Sequence, residues 1–299
     1  MFQYTPLLSA MKIKRAIATY FAAAVICLFV FACATSNTLV QSKESTTKSA
    51  DGSRIVYGIS GQGEPAIVFV HGWLGDHTVW QYQVDYFSDR HQVVWLDLAG
   101  HGASSANRQR FAITAFAQDV AAVVDAVDGK KVVLVGHSMG GPIVIEAAKL
   151  LGERVVGIVG VDAFYTPLAA VPENMKLAFL ERLKTSYATA LAETVNSMFT
   201  QNADQAYRDA TYDKMLAADH SMGISALYEC IKWNSEKEPL ELTTFAGALA
   251  NINGAPTGHE KKLHESVVLI PGVGHFVARL KPEEFNAALE MILERFTTQ

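Results

Sequence analysis

From Arg54 onward the chain alternates two kinds of hydrophobic pattern. Short runs at Arg54–Ile59, Ala66–Val70, Val93–Leu96, Val132–Val135, Val155–Val161, Ala248–Ile252 and Val267–Ile270 are rich in β-branched residues with few polar breaks. Runs of that length and composition read as strands, most of them buried on both faces. Between them, Val79–Phe87, Ile113–Val127, Pro142–Leu151 and Pro282–Phe296 carry apolar residues at helical spacing. Strands joined by such helices form βαβ units, whose right-handed crossovers place a parallel sheet between two helical layers. The pattern therefore predicts an α/β fold with a mostly parallel, doubly wound sheet.

One long interruption stands out. Over residues 163–246 the strand pattern gives way to helical stripes, with Met175, Phe179, Leu180 and Leu183 on one and Leu191, Val195, Met198 and Phe199 on another. This segment is expected to be a helical lid inserted between strands, most of its apolar residues packing the helices together. Phe164, Tyr165, Phe179, Tyr187, Phe199 and Tyr228 make it rich in aromatics, which points to an apolar binding pocket. Residues 51–162 and 247–299 then make up one core, and the 299-residue length suffices for it.

The N-terminus follows different rules. Lys12, Lys14 and Arg15 precede an almost wholly apolar run from Ala16 to Ala34, so residues 1–34 read as an export segment. Val30-Phe31-Ala32-Cys33 resembles a bacterial lipoprotein box, which implies lipid on Cys33 and a membrane-anchored protein of a bacterial cell envelope. Cleavage after Ala34 with release to the periplasm or medium, and an uncleaved anchor helix, are the alternatives. Residues 35–50, rich in Ser, Thr and Lys, are expected to be a solvated linker. Without the export segment only Cys230 remains of three cysteines, so no disulfide framework is available. The formal charge of −5 and the lack of a basic cluster beyond the N-terminus argue against a nucleic-acid partner.

Chemistry concentrates where the strand patterns end. Val132-Val133-Leu134-Val135 runs into Gly136-His137-Ser138-Met139-Gly140, a G-x-S-x-G placed between a strand and a helix. Such a turn presents the serine at its tip, with the positive end of the following helix aimed at any developing oxyanion. A serine hydroxyl needs a base, and His275, after the last strand in Gly274-His275-Phe276, is the candidate among nine histidines. His137 is expected to point away from the hydroxyl. His71 is read as shaping a loop, His101 as a turn residue, and His77, His91, His220, His259 and His264 as surface or lid residues. No histidine spacing suggests a metal site, and no cofactor is expected.

In chain order, His71-Gly72-Trp73, Asp97-Leu98-Ala99-Gly100-His101-Gly102, the Ser138 turn and Gly274-His275-Phe276 resemble the α/β-hydrolase fold superfamily, in its lidded, esterase-like branch. The resemblance covers the chain from about Val56 to the end. It implies a Ser138 nucleophile, a His275 base, and an oxyanion hole formed by the backbone N–H groups of Trp73 and Met139. The commoner family pattern puts an aspartate after the strand that follows the lid. Here that region reads Asn251-Ile252-Asn253-Gly254-Ala255-Pro256-Thr257, and no aspartate follows Asp219. Asp162, at the end of the preceding strand, is the expected third member, with Glu260 as runner-up. The expected activity is acyl-enzyme hydrolysis of a small, largely apolar carboxylic ester. C–C, lactone or amide cleavage by the same triad, and a non-catalytic surface binding module, are the alternatives. Serine at the elbow disfavours dehalogenase and epoxide hydrolase chemistry, whose family members carry aspartate there.

Overall fold

The computed structural model describes residues 43–166, 171–237, 241–242 and 248–298. Eight strands form one sheet: β1 (Lys43–Lys48), β2 (Arg54–Ser60), β3 (Ala66–Val70), β4 (Val93–Leu96), β5 (Val132–His137), β6 (Val155–Val161), β7 (Ala248–Ala255) and β8 (Val267–Pro271). Their order is β1-β2-β4-β3-β5-β6-β7-β8. The pairs β1/β2 and β2/β4 are antiparallel and every other pair is parallel, so the expected mostly parallel sheet is the one observed.

The period of two in each strand divides the core between the sheet's two faces. In β3 and β5, Val68, Val70, Val132 and Leu134 join Phe116, Val120, Ile143 and Val144 on one side. Ile67, Phe69, Val133 and Val135 join Phe87, Phe285, Leu289 and Ile292 on the other. The first side is covered by helices α2 (Ile113–Ala126) and α3 (Gly140–Leu151), and the second by α1 (Gln81–Phe87) and α9 (Pro282–Thr297). All six residues of β5 are buried, as a central strand enclosed by helices must be.

Between β6 and β7 the chain forms α4 (Glu173–Thr185), α5 (Tyr187–Met198), α6 (Gln205–Ala217) and α7 (His220–Glu236). A short helix, α8 (Val277–Leu280), precedes α9. Contacts between the insertion and the loops at one end of the sheet include Trp73 Nε1 donating to Gly223 O at 2.7 Å, the His275 amide donating to Met198 O at 2.8 Å, and Lys214 pairing with Asp76 at 2.8 Å. Asp76 is largely buried, which alone would raise its carboxyl, but Lys214 and Thr78 outweigh that and hold it down at about 2.

One expected boundary is corrected. Lys43–Lys48 is not linker but strand, paired along its length with β2 from Lys43↔Ile59 to Lys48↔Arg54. Its sequence KESTTK has no apolar residue because it is an edge strand one step removed from the core, and charged side chains suit such an edge. The export segment 1–34, with Cys33, and residues 35–42 of the expected linker lie outside the described residues. Among the described residues no helix is long and apolar enough to cross a membrane.

Candidate active site

Because β3, β5, β6, β7 and β8 run parallel, the segments that follow them meet along one edge of the sheet. Ser138 stands at the tip of the turn between β5 and α3, partly exposed, with φ of 53°. That left-handed conformation is costly for a residue with a Cβ, and the surroundings enforce it. The Ser138 amide donates to Val161 O at 2.9 Å, and Ser138 O accepts from the Gly141 amide at 2.9 Å. A Cβ on Gly136 would lie 2.3 Å from Gly140 O, and one on Gly140 would lie 2.6 Å from Val70 O. Glycine at both positions is what lets strand, helix and neighbouring strand close around the serine.

The loop after β3 passes directly beside this serine, for a Cβ on Gly72 would sit 3.1 Å from Ser138 Cβ. His71 holds this loop. The Leu98 amide donates to His71 Nε2 at 3.0 Å, so Nδ1 carries the proton and donates to Gly72 O at 2.8 Å. Burial lowers the His71 pKa and keeps the ring neutral, as that arrangement requires. Among the described residues, no acceptor takes the amide N–H of Trp73 or of Met139. Both groups therefore stay available for an oxyanion. The Trp73 ring itself is packed against the insertion through its bond to Gly223.

Asp162 follows β6, also left-handed at φ 45°. Its amide donates to Ile252 O at 3.1 Å, and its Oδ1 accepts from the Gly254 amide at 2.8 Å. Asn253 braces the same turn by donating Nδ2 to Phe164 O at 2.9 Å. The end of β7 holds no carboxylate but supplies the donors that position one. Asp162 Oδ2 is buried without a hydrogen-bond partner. A carboxylate oxygen of Asp162, a ring nitrogen of His275 and one of His137 lie within 4.8 Å of one another. Burial pushes the Asp162 carboxyl up, against the Gly254 bond, and pushes the His275 imidazole down, with His137 adding to the effect. No hydrogen bond joins Asp162 Oδ2 to the His275 ring in the structure; one from a His275 N–H would offset the desolvation of both groups.

These three residues are also the one trio of His, Cys, Asp or Glu side chains close enough to share an ion among the described residues. One His137 ring nitrogen is already engaged, because Nε2 bonds the His275 carbonyl oxygen at 2.9 Å. Glu260 does not join the cluster. It is exposed, and both its carboxylate oxygens accept from the Gly258 amide.

Several readings of single residues need correction. His77 is not a free surface group: its amide and its Nδ1 both bond Asp97 Oδ1, at 2.9 and 2.8 Å, and its ring stacks on Trp95 at 3.8 Å. Tyr228, read with the lid aromatics, is 45 % exposed on α7 and lines a groove of about 850 Å³ against α4 that touches none of Ser138, Asp162 and His275. Phe199 packs on Phe276, next to His275, at 5.1 Å, and Tyr207 of the insertion packs on the same ring at 6.0 Å. The contact between His137 and His275 was missed, and its only sequence signal is a histidine directly before the elbow serine.

His101 is buried against His71, and burial lowers its pKa to about 3. An unfolded histidine protonates near pH 6.5 while the native ring stays neutral, so His101 subtracts stability as pH falls from 6.5 towards 3. The slope is about 1.4 kcal/mol per pH unit for one group. A folded His101→Phe variant is expected to show a stability-versus-pH slope shallower by about that amount between pH 6 and 4. Urea unfolding at several pH values measures it, and parallel wild-type and variant curves refute it.

The family model described as alpha/beta hydrolase fold matches residues 65–242, more than half of the chain. The chain is similar to the dihydrolipoyllysine-residue acetyltransferase component of the acetoin cleaving system of Pseudomonas putida, 34 % identical over 83 % of this chain and 69 % of that one. It spans only 29 % of the length of the Cupriavidus necator protein of the same description. It is similar to 3-oxoadipate enol-lactonase 2 of Acinetobacter baylyi, 24 % identical over 84 % of this chain and 97 % of that one. Among solved structures, an esterase from Thermogutta terrifontis superposes with TM-score 0.70 at 20 % identity, covering 86 % of this chain and 99 % of that one. The chain belongs to the alpha/beta hydrolase fold family.

Proposed function

We propose that the protein is a serine hydrolase that cleaves small, largely apolar carboxylic esters through an acyl-enzyme. The observation that carries this reading is that one sheet edge holds both a serine on a left-handed turn and an Asp162–His275 pair whose polar side-chain atoms lie within 4.8 Å of each other. In this reading His275 takes the Ser138 proton and the hydroxyl oxygen attacks the ester carbonyl. The Trp73 and Met139 amides hold the tetrahedral oxyanion. His275 then protonates the leaving alcohol, the bond to it breaks, and water repeats the sequence on the acyl-enzyme. Asp162 orients the imidazole and stabilises its charged form.

The apolar side chains beside the loops at this edge support an apolar substrate: Leu74 follows Trp73 and Phe199 packs on Phe276, each under a tenth exposed. A second reading, lactone hydrolysis by the same residues, is favoured by the similarity to an enol-lactonase along almost that protein's whole length. Attachment to a bacterial envelope through residues 1–34 or lipid on Cys33 belongs to the proposal too, and membrane fractionation of cells expressing the full chain tests it.

The direct experiment pairs a fluorophosphonate probe with a series of p-nitrophenyl esters and simple lactones. Labelling of Ser138, with turnover highest for short to medium acyl chains, is the expected outcome. Faster turnover of lactones would favour the second reading. A folded protein that neither reacts with the probe nor turns over any substrate would favour a non-catalytic binding module.

A further inference from the structure

The backbone of His275 is held on both sides, and the two holds come from different parts of the fold. Its N–H donates to Met198 O at 2.8 Å, at the end of α5 in the insertion. Its carbonyl oxygen, at 2.9 Å, is bonded by Nε2 of His137, the residue immediately before the nucleophile. With both backbone groups occupied, the base loop cannot shift without breaking a bond, and the imidazole is left as its movable part.

The tautomer of His137 follows from the acceptor. A carbonyl oxygen only accepts, so Nε2 carries the hydrogen and the neutral ring leaves Nδ1 bare. Nδ1 lies against the loop after β3, 3.1 Å from where a Cβ on Gly72 would be. The ring is buried, with Trp80 edge-on at 6.3 Å, Phe276 at 5.6 Å and the His275 ring at 4.7 Å. One side chain therefore touches the loop that carries the oxyanion amide, the elbow that carries the nucleophile, and the loop that carries the base.

We infer that His137 is a positioning residue for the general base, its Nε2–H fixing the His275 loop relative to Ser138 through the His275 carbonyl. This rests on the reading of Ser138 and His275 as nucleophile and base. It adds that their spacing is set by a hydrogen bond rather than by packing alone. Packing alone would require only a ring-sized apolar group at position 137. A positioning bond requires a donor there.

Two variants separate these cases. His137→Phe keeps a ring and loses the donor, whereas His137→Gln keeps an N–H donor at similar reach and loses the ring. Misplacing a reacting group by about 1 Å costs about a hundredfold, so His137→Phe is expected to lower kcat on a p-nitrophenyl ester by tenfold to a hundredfold, with KM within about threefold of wild type. His137→Gln is expected to recover most of that loss. Wild-type kcat in His137→Phe, or equal losses in the two variants, would overturn the inference. Should His137→Phe fail to fold, ¹⁵N-histidine NMR of the wild-type protein decides: a hydrogen on Nε2 of His137, protected from exchange, is expected, and a hydrogen on Nδ1 contradicts the inference. If the hydrolase reading itself is wrong, the wild-type protein does not react with the fluorophosphonate probe at Ser138, an outcome independent of His137.

Discussion

Replacing Ser138 with alanine is expected to lower kcat on any ester substrate by about a millionfold, because without the hydroxyl no acyl-enzyme forms and only oxyanion binding and substrate positioning remain. The same change should leave the fold intact. Alanine pays the same left-handed cost as serine at φ 53°, and the backbone bonds of residue 138, from its amide to Val161 O and from the Gly141 amide to its carbonyl, involve no side-chain atom. Ser138→Gly extends the test. Glycine enters the left-handed region freely, which offsets its larger entropy in the unfolded chain, so this inactive variant should be at least as stable as wild type. Turnover assays with thermal melts of the three proteins measure both effects. An active Ser138→Ala protein would remove the nucleophile from the proposal. A Ser138→Gly variant well below wild type in stability would show that the elbow is not strained.

That strain also explains why this part of the molecule was legible in the sequence. An unbroken β-branched run ending in glycine, serine and glycine has few alternatives to a buried strand turning sharply into a helix, and β5 with its elbow is that structure. The other parallel strands were legible for the same reason, and Asp162 because it ends one of them. The residues that hold the site were harder to see. Gly254 contacts Asp162 only because β6 and β7 pair in one register, Gly160 with Asn251 and Val161 with Ile252, and register between strands nearly a hundred residues apart is not written locally. His137 and His275 are likewise distant in the chain. Edge strand β1 escaped notice for the opposite reason: it buries little, so its sequence carries no apolar signal. Hydrophobic patterning reports burial, and it is silent on backbone-to-side-chain contacts across long chain separations.

Exchanging Asp162 for asparagine is expected to lower kcat by up to about ten-thousandfold while leaving KM nearly unchanged, because a neutral amide can neither hold the reactive imidazole tautomer nor stabilise the imidazolium. Glu260→Gln, by contrast, should stay within about twofold of wild type: that side chain is exposed, and its oxygens are engaged by the Gly258 amide. The pH dependence sharpens the comparison. Burial and the neighbouring His137 hold the His275 pKa well below 6.5, so the neutral base is already present at neutral pH. Activity should then fall as pH drops below 6.5, as His275 takes up a proton at its lowered value and Asp162, whose carboxyl burial raises, is neutralised. A carboxylate at 162 favours the charged ring, so its removal moves the acid limb of whatever activity remains to still lower pH. Profiles of kcat/KM from pH 4 to 8 for wild type and both variants read these effects together. Equal losses in Asp162→Asn and Glu260→Gln would mean that the acid is not fixed at 162. A large loss in Glu260→Gln alone would move the role to a loop that the structure places in solvent. In the expected outcome, relocation of the acid from the end of β7 to the end of β6 leaves β7 a different task, presenting the Gly254 amide that keeps Asp162 Oδ1 occupied and Oδ2 free for the base.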